Sequence, residues 1–287
     1  MRNFLYLFVT IVALCSCEKM SLDTMNKEEG YVSKSGNLVL KLSPYEQHAM
    51  TRTAVNISEL CTRFNVSVFD AEGDKAASAT QSIGDADFGT IALSLAEGTY
   101  TLVAIGHNKD KSVPISATNK IEFSGGPSDV FCYYDVIEVT EEPQELNISM
   151  SRAVAMFKLT ITDEDIPEGV TQLKFSVTGG SQNLDPSTGY GCTKSTQKSV
   201  FIVDASHKEF GIYTFPRQDN NTLDVVVSAL AADETEIMKR EFEDVPIAVN
   251  NITSYRGELF SNVSSVTRSA YTFTADPEWN ATNNYDF

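Results

Sequence analysis

Residues 63–108 read RFNVSVFDAEGDKAASATQSIGDADFGTIALSLAEGTYTLVAIGHN, and the fold is decided there. Phe64, Val66 and Val68 alternate with Asn65 and Ser67, the period-2 pattern of a strand with one buried face. Asp70-Ala71-Glu72-Gly73 supplies a turn, because Asp favours the first turn position and Gly accepts positive φ. Ile91, Leu93 and Leu95 alternate again before Ala96-Glu97-Gly98 turns the chain. The run from Thr99 to Ile105 is β-branched, aromatic and apolar on both faces, with Tyr100, Leu102 and Ala104 set against Val103 and Ile105. A strand of that kind belongs near the middle of a sandwich. The stretch predicts an antiparallel meander with Tyr100 and Leu102 in its core.

Before this stretch, Leu38, Leu40 and Leu42 alternate as a first strand, and Ser43–Thr53, with Pro44 and Arg52, reads as an exposed loop. Beyond the meander come a strand over Ile115–Phe123, a Gly125-Gly126-Pro127 turn and a long strand over Val130–Val139. Glu141-Glu142-Pro143 breaks the pattern, and Leu146, Ile148 and Met150 resume it as a closing strand. A second domain starts near Arg152, where Ala155, Phe157, Leu159 and Ile161 alternate. Further strands are expected at Leu173–Val177, Ser199–Val203, Phe210–Phe215, Leu223–Leu230, Glu236–Phe242 and Tyr255–Phe260. Gly179–Lys198 reads as a long hairpin loop. In the C-terminal tail Tyr271, Phe273 and Ala275 alternate before Pro277 and Trp279, a pattern equally suited to a native edge strand or an interaction surface. Helical periodicity is confined to single turns at Ile57–Arg63 and Asp204–Lys208. Short strands separated by turn signals indicate an all-β chain of two tandem antiparallel sandwich domains, 36–151 and 152–287.

The N-terminus carries a different signal. Met1-Arg2-Asn3 and the apolar run Phe4–Leu14 form a secretory leader too short to span a bilayer, which takes roughly 20 residues. Leu14-Cys15-Ser16-Cys17 resembles a bacterial lipobox. On that resemblance residues 1–16 are a lipoprotein signal peptide and Cys17 is the mature N-terminus. It would bear a thioether-linked diacylglycerol and an N-acyl chain, the only covalent group expected. One chain anchors marginally and several hold firmly, since each buried CH₂ contributes about 0.8 kcal/mol. Residues 17–35 are polar and aperiodic, as befits a flexible tether. Asp23-Thr24-Met25 matches a short O-glycosylation sequence but reads as plain linker, and the sequons at Asn56, Asn65, Asn147 and Asn251 read as ordinary polar positions.

Composition narrows the function classes. With 42% hydrophobic residues over 287 positions there is ample material for packed cores. A formal net charge of −17 argues against nucleic-acid binding, which requires a cationic surface. With Cys15 removed and Cys17 lipidated, Cys61, Cys132 and Cys192 remain, so at most one disulfide is allowed; a Cys61–Cys132 bond and two free core thiols both stay open. His48, His107 and His207 lack companions at metal-ligand spacing, and no Ser stands in a nucleophile elbow. No metal, catalytic residue or cofactor is expected, and the chain reads as a non-enzyme. His107 closes the central strand and is expected to bond to backbone.

Three patterns carry a family resemblance. Leu95-x-x-Gly98-x-Tyr100-x-Leu102 looks like the hairpin of transthyretin-like sandwiches. The longer string from Phe69-Asp70 through Asp87-Phe88-Gly89 to Gly98-Thr99-Tyr100 and Gly106-His107-Asn108 is similar to the FimB-type fimbrial anchor family of Bacteroides-like bacteria. Ser151-Arg152-Ala153-Val154-Ala155 is a second patch of likeness. The resemblance implies a lipid-anchored outer-membrane protein, exposed at the cell surface, whose partners are fimbrillin-type pilus subunits. Fimbrillin stalk subunits are cut after an Arg that follows the first strand, and a neighbour's strand then fills the vacated groove by β-augmentation. Thr51-Arg52-Thr53 occupies the equivalent place here, but a cut would discard the Cys17 tether. Arg52 is therefore expected to stay uncut. The alternative is a surface glycan-binding or adhesin lipoprotein. It is less favoured because the single Trp lies near the C-terminus and most Tyr and Phe sit at positions expected to be buried.

Overall fold

Among the described residues the fold is all-β, with one helical turn. The computed structural model describes residues 36–43, 57–261, 269–274 and 279–287. The first half contributes β1 (Leu38–Leu42), the turn α1 (Ile57–Leu60), β2 (Arg63–Phe69), β3 (Lys75–Ser82), β4 (Thr90–Leu93) and β5 (Gly98–His107). It continues with β6 (Ile121–Glu122), β7 (Val130–Val139), β8 (Gln144–Ile148) and β9 (Ser151–Arg152). The second half holds β10 (Ala155–Ile161), β11 (Gln172–Thr178), β12 (Asn183–Asp185), β13 (Tyr190–Gly191), β14 (Gln197–Ile202) and β15 (Glu209–Thr214). It closes with β16 (Thr222–Leu230), β17 (Glu236–Pro246), β18 (Asn251–Gly257), β19 (Ser269–Thr274) and β20 (Ala281–Asp286).

These strands form two face-to-face sheet pairs. In the first, the sheet β4-β1-β8 covers the five-stranded sheet β3-β2-β5-β7-β9. Leu38, Leu40, Ile91, Leu93 and Ile148 from the small sheet meet Phe64, Val66, Val68, Leu102, Ala104 and Phe131 from the large one. In the second, β15-β10-β18-β20-β19 packs on β14-β11-β16-β17. Phe157, Phe175, Phe242 and Tyr255 fill that core, with Phe242 and Tyr255 edge-on at 5.2 Å. Pairing is antiparallel except at β1–β8, β10–β18 and β18–β20, which are parallel.

A third core lies on the outer face of the five-stranded sheet. Phe69, Val103, Ile105, Val130 and Cys132 project there and meet Phe123, Leu184, Phe215, Ile252 and Trp279. This explains why β5 is apolar on both faces: Leu102 and Ala104 point into one core, Val103 and Ile105 into another. The small sheet β13-β12-β6 crosses the same seam, pairing Ile121 with Leu184. Cys61 and Cys132 fall in different cores and are not joined by a disulfide; burial pushes the pKa of each thiol up to about 12.

The meander keeps its expected register. Gly73 at φ 87° closes the β2–β3 turn, its N–H donating to Asp70 O at 3.1 Å. Leu102 is fully buried, but Tyr100 is only half-buried and its hydroxyl donates to Ala96 O at 3.1 Å. The expectation of a core Tyr100 is corrected accordingly: the phenol sits at the sandwich rim, where its polar tip reaches water. The Gly179–Lys198 loop also contains structure, since β12 and β13 pair within it.

Candidate functional site

The first strand is held on both sides within the first sheet pair. β1 is the middle of three strands, with Leu38 opposite Leu93 on one side and Gln144 on the other. Both backbone edges are therefore occupied, and Leu38 and Leu40 point into the core. Its ends are tied as well. Asn37 Nδ2 donates to Leu95 O (2.9 Å) and Thr140 O (3.0 Å), while Asn37 Oδ1 accepts from Leu95 N (2.9 Å). At the far end Leu42 N donates to Gly89 O and Ser43 N to Ile148 O, both at 2.8 Å. Gly36 passes so close to β4 that a Cβ there would lie 2.5 Å from Leu93 O. Lys41 adds a half-exposed ion pair to Glu145 at 2.6 Å, worth little by itself. Without β1, the facing edges of β4 and β8 would lose their partners and the core would lose its lid. In this chain that groove is filled.

The second feature is the seam. Arg152, at the end of β9, is buried and forks onto Asp129, Nε to Oδ1 at 2.8 Å and Nη2 to Oδ2 at 2.9 Å. Its Nη1 donates to Asn250 Oδ1 at 3.0 Å, and Asn250 itself holds positive φ (59°) at the turn into β18. The guanidinium also lies 4.0 Å from the Trp279 ring centroid and 4.8 Å from that of Phe131. One side chain thus ties both sheet pairs and the C-terminal segment together. Trp279 is a buried seam residue stacked on Tyr213. Of the tail, β19 forms the outer edge of its sheet beside β20; Ala275 and Pro277 lie outside the described residues. Tyr271 and Phe273 fall within β19, so the tail does form a native edge strand.

His107 ends β5 fully buried, its Nδ1 accepting from Lys109 N at 3.1 Å, so the backbone bond expected of it is present. Burial, followed by the Arg63 and Lys109 charges, pushes its pKa down from 6.5 to about 4. Between those values the unfolded chain holds a proton that the folded chain refuses. Stability is therefore lost as pH falls from about 6.5 towards 4, by on the order of 3 kcal/mol. Replacing His107 by Leu is expected to flatten that slope. Urea midpoints at pH 7 and pH 4.5 check it, and equal acid losses in both proteins would contradict it.

The two residues singled out by sequence, Cys17 and Arg52, lie outside the described residues. Among the described residues there is no His/Cys/Asp/Glu cluster fit to hold a metal, and no helix long and apolar enough to cross a membrane.

The sequence pattern of the fimbrillin-A associated anchor proteins Mfa1 and Mfa2 matches residues 28–232. Among solved structures, a candidate adhesin from Bacteroides ovatus is 15% identical, with 71% of this chain and 81% of that one covered at a TM-score of 0.47. Candidate polysaccharide-binding proteins from Bacteroides thetaiotaomicron give 12%, 70%, 78% and 0.49 in the same order. The fimbrial anchor protein Mfa2 from Porphyromonas gingivalis gives 11%, 71%, 80% and 0.43. No curated protein matches the chain.

Proposed function

Since the chain belongs to the fimbrillin-A associated anchor proteins, we propose that it is a non-enzymatic outer-membrane lipoprotein that fixes a fimbria to the cell surface. Cys17 carries the lipid, 17–35 is the tether, and the two sandwiches 36–151 and 152–287 are domains that present the base of the filament to a fimbrillin-type subunit. The observation that carries the reading is β1, paired on both sides and buried in the first core. A subunit whose first strand stays in its own groove does not accept a strand there from a neighbour. It terminates a chain of strand additions, as an anchor must. Keeping Arg52 uncut preserves the covalent path from lipid to fold. The next subunit then meets another surface, and the β19 edge is our candidate because edge strands carry unpaired backbone groups.

Replacing Cys17 by Ser tests the anchoring directly. The variant is expected to leave the membrane fraction, as a soluble form or unprocessed precursor, and to shed fimbriae into the medium. Unchanged membrane retention and unchanged mass would contradict lipidation at Cys17.

A further inference from the structure

The geometry points to a binding groove for a neutral oligosaccharide over the β12–β13 hairpin. Three adjoining clefts of about 460, 370 and 320 Å³ meet there. The first two share Lys194, Arg217 and Asp219, and the second and third share Thr188 and Tyr190. Together they offer room for more than one sugar ring.

The floor is closely packed and internally hydrogen-bonded. A Cβ would lie 2.4 Å from Thr222 O at Gly179, 2.0 Å from Thr214 Oγ1 at Gly180, and 2.4 Å from Ser181 Cβ at Gly191. Backbone therefore packs directly on backbone and hydroxyl at the groove's base. Beside it, Ser181 Oγ donates to Asn183 O at 2.7 Å, and Thr193 Oγ1 lies 3.2 Å from Ser181 Oγ and 3.3 Å from Ser195 Oγ. Asn220 Nδ2 bridges Gly179 O and Thr222 O, fixing the turn that carries Arg217 and Asp219. Such preorganisation lowers the ordering cost of binding.

What lines the groove suits a polyol. The Arg217 side chain is only 10% exposed and is held by the Asp219 carboxylate. A guanidinium beside a carboxylate sets donors and acceptors side by side, which is what a vicinal diol needs. Tyr190 and Tyr134 are half-buried and line the third cleft, and an aromatic ring is the group that packs on the C–H surface of a pyranose. Sequence patterning placed the aromatic residues inside; these two are partly open.

Charge decides the class of sugar. Lys194 and Arg217 are offset within the groove by Asp185 and Asp219, while the whole chain carries −17. An anionic glycan meets no net attraction inside and repulsion outside. A peptide strand is disfavoured because the β13 edge is already engaged, Gly191 N donating to Pro216 O at 2.7 Å and Cys192 N to Asn183 O at 3.0 Å. This site is independent of the anchoring reading, and either can fail alone.

The test is an array of neutral oligosaccharides (β-glucan, α-mannan, galactan) and uronate oligosaccharides (polygalacturonate, alginate), probed with the purified protein. Saturable binding of a neutral glycan is expected, weakened at least tenfold by Tyr190→Ala and by Arg217→Met. Lys194→Ala, at an exposed position, provides a third variant if Arg217→Met fails to fold. Cys192 is exposed and lines the second cleft, so the bound sugar is also expected to slow its labelling by a maleimide. Retention of no glycan, retention of uronates alone, affinity unchanged in Tyr190→Ala and Lys194→Ala, or displacement of the sugar by an extended peptide would each overturn the proposal.

Discussion

Replacing Arg152 by Met is expected to lower the melting temperature by on the order of 10 °C. The reason is the charge left behind. Asp129 is itself buried, and its carboxylate takes both the Nε and Nη2 bonds of Arg152. Removing one partner of a buried pair costs about 3–5 kcal/mol, because the other remains desolvated and uncompensated. For a unit of this size each kcal/mol is worth roughly 2–4 °C. Loss of the Arg152–Asn250 bond and of the cation–π contact to Trp279 adds to the effect and loosens the C-terminal segment. A second substitution, Asp129→Leu, separates charge from packing. The double variant is expected to recover much of the loss, since replacing a whole buried pair by apolar groups is often nearly neutral. Thermal melts of the two single variants and the double variant decide it. A single variant within about 2 °C of wild type would show that the seam is not held through Arg152.

Leu40→Asp is expected to be as damaging, and it speaks to function. Leu40 is wholly buried in β1, between β4 and β8, and faces the core of the first sheet pair. Truncation to Ala there costs about 2–5 kcal/mol, and a buried unpaired carboxylate costs more. The Asp variant is expected to expel β1 and expose the groove, whereas Leu42→Ala, at a half-buried position, has a much smaller effect. Limited proteolysis and melting reveal the opening. If Leu40→Asp melts like wild type, β1 is not the occupant that seals this sandwich.

The legible and illegible parts of the chain separate along physical lines. β2, β5 and β7 were readable because burial on one or two faces imposes period-2 or continuous apolar patterns on them. β3 is not, since KAASATQS is an edge strand with mostly open side chains and only the small Ala77 and Ala79 alternating toward the core. β20, ATNNYD, is mostly polar and is held by ladders to β18 and β19, with Tyr285 stacked on Tyr255 in the core. The parallel pairing of β1 with β8 joins segments about a hundred residues apart, a relation that no local pattern carries. Arg152 stands out in the sequence as a domain boundary and as part of a family-like patch. Its partners Asp129 and Asn250 are 23 and 98 positions away, so its role emerges only from the fold. The same holds for the β12–β13 groove, assembled from Gly- and Thr-rich turns that read as loop.

The central claim is that this chain keeps its first strand and so ends a filament instead of extending it. Intact-mass analysis of the protein recovered from purified, membrane-attached fimbriae tests that most directly. The account predicts one chain beginning at Cys17, with the added mass of its acyl groups and with residues 38–42 still present. A mature form beginning at Thr53 within the filaments would contradict it and make the chain a stalk or tip subunit.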